Sequence, residues 1–191
     1  MTRGFAALLL AAFAFVTPAL SQEKIAESDG YRMDNYRAAV PATLAGARVL
    51  STAEAEAIWR DRTAVFIDVL PRAPKPPNLP AGTVWRDKPR LNIPGSIWLP
   101  DTGYGKLAAL TEDYFRRGLA LAADGNNAVL LVIYCQADCW MSWNAAKRAL
   151  SYGYAHVAWY PQGTDGWEHA GLPTEESQPV PRGEDEQFAP R

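Results

Sequence analysis

The stretch "AVLLVIYCQADCWMSWNAAKRAL", Ala128–Leu150, decides the fold. Its first third, Ala128–Cys135, is the most apolar run after the N-terminal segment. A short, continuous, β-rich apolar run is the pattern of a strand buried on both faces of a parallel sheet, so this is read as the central strand. The last part, "MSWNAAKRALSYG" from Met141, predicts a helix. Ala145, Ala146, Ala149 and Leu150 give it a small-residue face that packs closely on a sheet, and Gly153 suits the C-cap. Between strand and helix lie both cysteines of the chain, Cys135 and Cys139.

The flanking sequence repeats the alternation. "RVLS" reads as a short strand, and Ser51 with Glu54 forms a capping-box pattern opening the helix "TAEAEAIWRD", with Ala55, Ile58 and Trp59 facing inward. "AVFIDV", Ala64–Val69, is a second buried strand. Residues 71–94 are dense in proline and predict a long irregular loop, a kind often tied to function. "SIWLP" resumes a strand. "TEDYFRRGLALAA" predicts a helix with Thr111 as N-cap, and "AHVAWYP" a further strand. "QGTDGWEHAGLP" reads as a glycine-rich turn leading to a short amphipathic end. Strands alternating with helices define an α/β domain with a mainly parallel sheet, in which ligands gather at the carboxyl ends of the strands. Cys135 stands at such an end.

The chain has 191 residues, 19 Lys plus Arg against 21 Asp plus Glu, and seven Trp. The length suits one domain, and the mixed charge offers no basic face for nucleic acid. Residues 1–21, "MTRGFAALLLAAFAFVTPALS", have the charge, the short apolar core and the small residues of a cleaved signal peptide. No other segment is apolar enough to span a membrane, so no span is expected after processing. The divisions expected are a signal peptide at 1–21, a polar lead-in at 22–47, the α/β domain at 48–173, and a disordered tail rich in Pro and Glu at 174–191. An exported protein meets an oxidising compartment, where a cysteine pair has consequences.

A thiol at a strand end, followed by a tight loop and a helix N-terminus, lies where backbone N–H groups favour negative charge. That setting predicts a lowered Cys135 pKa and a nucleophilic thiolate. Cys139 then stands where a resolving thiol would. A short structural disulfide remains an open alternative, as does a soft-metal clamp using Met141 and one of the two histidines, His156 or His169. Trp143, Trp159 and Trp167 are read as core, Lys147 and Arg148 as a solvated helix face, and Asp68 as a structural acceptor tying strand to loop.

Four segments, in order, resemble the rhodanese-like domain family: "AVFIDVLPR" with Asp68, "NIPGSIWLP", "LLVIYCQADCW" and "GYAHVAWYPQGTDGWEHAGLP". Within it, the Trp after the second loop cysteine resembles the periplasmic subgroup known as PQQ-dependent catabolism-associated CXXCW motif proteins. The resemblance implies a rhodanese-like fold and a sulfurtransferase in which Cys135 carries a persulfide, with no cofactor. It also implies a periplasmic setting, a small sulfur donor or protein thiol as reaction partner, and a quinoprotein dehydrogenase or cytochrome as pathway partner. The active loop would be Cys135, Gln136, Ala137, Asp138, Cys139 and Trp140. It departs from the family pattern at Asp138, where Gly is usual, at Cys139, and at Trp140, where Arg is frequent. Asp138 is expected to repel an anionic donor and raise the thiol pKa, and Trp140 to offer an aromatic wall to a partner. A non-catalytic binding or maturation factor using that Trp140 surface, or a thiol–disulfide redox protein, are the alternative functions.

Overall fold

The computed structural model describes residues 25–84, 89–126 and 128–183. The expected signal peptide and residues 184–191 lie outside these. Eleven elements follow in order: β1 Arg48–Val49, α1 Thr52–Asp61, β2 Ala64–Asp68, β3 Arg90–Asn92, β4 Ile97–Trp98, α2 Ala109–Ala123, β5 Leu130–Tyr134, α3 Trp140–Ser151, β6 Val157–Tyr160, α4 Gly163–His169 and β7 Glu175–Ser177.

Five strands form one parallel sheet in the order β1-β6-β5-β2-β4. The apolar run of the opening stretch is indeed its centre. Side chains alternate between the two faces, as period two demands. Ile67, Leu131, Ile133, Cys135, Val157 and Trp159 belong to one core with Leu119 of α2 and Ala145, Ala146 and Ala149 of α3. Phe66, Val132, Tyr134, Ala158 and Tyr160 belong to the other, with Ala55 of α1 and Trp167 of α4. Both faces are covered, which is why the strands read as continuous apolar runs rather than alternating ones. This is the α/β architecture with a mainly parallel sheet that the sequence calls for.

The capping box of α1 forms as expected: Ser51 accepts from the Glu54 N–H while the Glu54 carboxylate accepts from the Ser51 N–H. Helix α2 differs. It starts at Ala109, not after Thr111, and its N-cap Ala108 gives no side-chain hydrogen bond. Helix α3 ends at Ser151, with Tyr152 as C-cap and Gly153 just beyond at φ 94°. The stretch read as a glycine-rich turn is helix α4. The Pro-rich loop contains β3, and the expected disordered tail begins with β7, which pairs antiparallel with β3. Val180 N–H then donates to the Trp98 carbonyl, and Arg182 pairs with Asp101. These contacts cross more than 70 residues of chain, so composition alone could not reveal them.

Lys147 and Arg148 are not a solvated face. The Lys147 ammonium donates to the carbonyls of Ser28 and Asp29. Arg148 is only 4% exposed and donates to the carbonyls of Thr102, Tyr104 and Gly105, fixing the loop before α2. Burial lowers its pKa. Arg148→Met keeps an apolar stem but strands three carbonyls. Charge-assisted hydrogen bonds of this kind suggest a loss of about 2–3 kcal/mol, readable by urea unfolding.

Candidate functional site

At the carboxyl ends of the paired strands β2 and β5, Asp68 stands opposite Tyr134, the residue before Cys135. Asp68, fully buried, accepts from the Leu70 N–H at 2.9 Å and from Arg90 Nε at 2.6 Å. Burial pushes its carboxyl up to about 6, against the opposing pull of Arg90. Arg90 also reaches the Cys135 carbonyl and the Thr164 hydroxyl. The expected role of Asp68, tying strand to loop, is therefore met through an arginine that sequence reasoning did not single out. A strand-end aspartate facing a parallel core needs a cation, and the "RDKPR" cluster was the available signal.

The loop from Cys135 to Trp140 is held on two sides. From α4, the Asp165 carboxylate accepts from the Ala137 N–H at 3.2 Å, and the Thr164 N–H and hydroxyl donate to the Cys135 carbonyl. From the lead-in, Arg37 Nη1 donates to the Ala137 carbonyl at 2.8 Å. With its amide oxygen turned toward Arg37, Gln136 accepts from Nε at 3.3 Å and from Nη1. Asp138 is exposed at the loop tip with φ 50°. A glycine would sit there easily, and aspartate is among the few side chains that tolerate the left-handed region. Gly163 is the close approach. Its φ is 50°, and an added Cβ would lie 2.6 Å from the Cys135 carbonyl oxygen and the Gln136 Cα. Gly163→Ala should therefore cost about 2–4 kcal/mol from left-handed strain plus overpacking, measured as a fall in the unfolding midpoint.

The two sulfurs differ from expectation. Both cysteines are free thiols. Cys135 has no exposed surface, and its S–H is directed at the carbonyls of Gln136 and Cys139, at 3.6 and 3.7 Å. Two of the loop amides that would cradle an anion there are engaged elsewhere: Ala137 N–H by Asp165, and Trp140 N–H by the Tyr36 carbonyl at 2.8 Å. Burial, followed by its Cys139 neighbour, raises the Cys135 pKa well above the usual thiol range. Burial, rather than Asp138, is the main cause.

Cys139 is the N-cap residue of α3 and 2% exposed. A hydrogen bond from Cys135 is the largest influence on it, and lowers its pKa to about 7. The amides of Met141 and Ser142 at the helix start and the Arg37 guanidinium act in the same direction, although no capping hydrogen bond closes. The Cys135 S–H thus reaches the Cys139 main-chain carbonyl, and the two shifts run in the directions that favour thiolate character on Cys139 over Cys135. Ser142 is buried beneath, donating to the Cys139 carbonyl and accepting from Trp159 Nε1.

Trp140 is not a free wall. It is 3% exposed and is the first residue of α3, its ring edge-on to Trp143. Its Nε1–H donates to the Ala39 carbonyl at 3.0 Å, and the Arg32 guanidinium lies over the ring. The aromatic surface expected to meet a partner is buried against the lead-in. Sequence gave no signal for Tyr36 and Arg37, which lie about a hundred residues before the loop they touch. Among the described residues no group of three or more His, Cys, Asp or Glu could hold a metal ion, and no helix is long and apolar enough to cross a membrane.

Fold and site together define an α/β protein with a buried, hydrogen-bonded thiol pair at the carboxyl edge of a parallel sheet. No protein-family model matches the chain, and neither does any curated protein. Among solved structures it is similar to a thiosulfate sulfurtransferase from Pseudomonas aeruginosa, at 20% identity and TM-score 0.48, over 70% of this chain and 21% of that one. The chain thus spans about a fifth of that protein. A second similar structure is an uncharacterized protein from Saccharomyces cerevisiae, at 21% identity and TM-score 0.39, over 65% of this chain and 93% of that one.

Proposed function

We propose that this is a rhodanese-like sulfur-transfer protein in which Cys139 is the attacking thiolate and Cys135 is first its hydrogen-bond donor, then its resolving thiol. The observation that supports this is the direction of the Cys135 S–H. It is buried at the end of β5 and turned to the main-chain carbonyls of Gln136 and Cys139, while the Cys139 sulfur stands at the start of α3 with Arg37 beside it. An attacking thiol with a pKa near ambient pH combines thiolate population with nucleophilicity.

In the cycle, the Cys139 thiolate attacks the outer sulfur of a sulfane donor. The donor's S–S bond breaks, its electron pair leaves with the donor, and Cys139 keeps the sulfur as a persulfide. An acceptor thiolate then attacks that terminal sulfur and returns Cys139 as thiolate. On the side route, Cys135 loses its proton to solvent and attacks the Cys139 sulfur. Hydrosulfide leaves and a Cys135–Cys139 disulfide forms, which a dithiol reductant reopens. The apolar N-terminal segment and the subgroup resemblance support a periplasmic site of action beside PQQ-dependent alcohol oxidation, with a quinoprotein dehydrogenase or cytochrome as neighbour.

The test is persulfide trapping. Reduced wild-type, Cys135→Ala and Cys139→Ala proteins are treated with thiosulfate, with glutathione persulfide and with polysulfide, then alkylated, digested and weighed. One added sulfur is expected on Cys139 in wild type and in Cys135→Ala. Absence of added sulfur on Cys139 with every donor overturns the reading.

A further inference from the structure

We infer that the lead-in strap, residues 31–40, occupies in cis the place of an extended polypeptide acceptor, so that the site passes sulfur to a cysteine carried in a strand-like peptide segment. This deepens the sulfur-transfer reading and rests on it.

The strap meets the loop as a strand would. Arg37 and Cys139 form an isolated antiparallel bridge, and Trp140 N–H donates to the Tyr36 carbonyl. Helix α3 adds three more bonds to strap main chain: Trp140 Nε1 to the Ala39 carbonyl, Asn144 Oδ1 from the Arg32 N–H at 2.8 Å, and Asn144 Nδ2 to the Arg32 carbonyl at 2.9 Å. These groups read backbone, not side chains, and main-chain donors that grip one extended segment can grip another. This is the logic of strand addition at an open edge.

Two facts say the strap must leave. Cys135 and Cys139 are 0% and 2% exposed, so neither sulfur can meet a partner while it is down. The strap has no helix or strand of its own, and Met33, Asp34, Asn35, Arg37 and Ala39 are exposed. Its hold is made of hydrogen bonds of about 1 kcal/mol net each and of the partly buried Tyr36, Ala38 and Val40, with no ladder or helix to make it cooperative, so its opening is a local event. Its departure also frees the Trp140 N–H beside Met141 and Ser142, at the point where a charged persulfide needs donors. A strand-like acceptor would take that N–H again and lay its own cysteine against Cys139.

The step needs no redox partner. The peptide thiolate attacks the terminal sulfur of the Cys139 persulfide. The persulfide S–S bond breaks, Cys139 leaves with the electron pair as thiolate, and the peptide carries the sulfur.

The experiment uses the full chain and a dye-labelled unstructured decapeptide with a central cysteine. Its control is the same peptide N-methylated on both residues flanking that cysteine, which removes strand pairing. Anisotropy is expected to show binding to Asn144→Ala at least tenfold tighter than to wild type, because the strap clamp is loosened, and loss of binding on N-methylation. Transfer from sulfur-loaded wild type to the parent peptide should exceed transfer to glutathione at least tenfold. Trp140→Phe, which drops the bond to Ala39 and shortens the ring that Arg32 and Trp143 meet, serves should Asn144→Ala fail to fold. Equal binding of the two peptides, or equal transfer to glutathione, overturns the inference. Peptide binding without any sulfur loading on Cys139 leaves the strap assignment standing and sinks the sulfur-transfer reading instead.

Discussion

Cys139→Ala is expected to reduce the rate of iodoacetamide labelling at pH 7 about 100-fold or more, while Cys135→Ala leaves a labelled protein with an altered pH profile. The reason is the asymmetry of the pair. Cys139 has its pKa lowered, to about 7, chiefly by Cys135, so it carries the larger share of thiolate at neutral pH. Cys135 is fully buried and raised well above the usual thiol range, so its thiolate is rare. Removing Cys135 takes away the hydrogen bond that contributes most to the Cys139 shift. The midpoint of the Cys139 rate profile should then move up from about 7 to the ordinary thiol range, about 8.5. At pH 7 the thiolate fraction would fall, partly offset by the greater nucleophilicity of the more basic sulfur. Rate profiles from pH 5 to 10, read by mass spectrometry, decide this. A Cys135-centred profile with an unchanged midpoint in Cys139→Ala would reverse the assignment.

Arg90→Ala should destabilise the protein by about 3–5 kcal/mol at pH 7.5, the usual result of stripping the partner from a buried carboxylate. Asp68 has no exposed surface and Arg90 only 13%. With the guanidinium gone, the Leu70 N–H still donates to Asp68, but the carboxylate charge loses its ion-pair partner at the strand end. Asp68→Asn in the same background should return part of the loss, because the charge itself is the problem. The pH dependence has a definite sign. The folded Asp68 pKa, about 6, lies above the unfolded value of 3.8. The folded state therefore holds the proton more tightly, and this group's stabilising contribution is present below pH 4 and is lost as pH rises through 6. Arg90→Ala raises the folded pKa further, so its deficit should shrink as the medium is acidified from pH 7.5 to 5. Urea titrations at the two pH values measure it. A deficit that is constant with pH would place the damage in the β3 backbone rather than in the ion pair.

Legibility followed the range of the interaction. The capping box of α1, the buried strands β2 and β5 and helix α3 are written in runs of neighbouring residues, and all stand where the patterns put them. Thr111 was a plausible cap by type, yet α2 begins two residues before it. The fold of the loop around Arg148 was hidden because its acceptors are backbone carbonyls, which carry no residue identity. Strands β3 and β7 are three residues each and pair across more than 80 positions, so neither reads as a strand alone.

The sequence by itself determined the parallel α/β sheet, the strand–loop–helix placement of Cys135 and Cys139, and Asp68 as the acceptor at the end of β2. These depend on periodicity and on chain direction, which are local. Only the tertiary structure decided how the two sulfurs differ in surroundings. That turns first on burial of Cys135 and on the approach of the two cysteines, and then on remote segments: Tyr36 takes the Trp140 N–H, Arg37 stands beside Cys139, and Asp165 of α4 takes the Ala137 N–H. A thiol's charge state depends on burial and on how its neighbours are turned, and no spacing within "YCQADCW" encodes either.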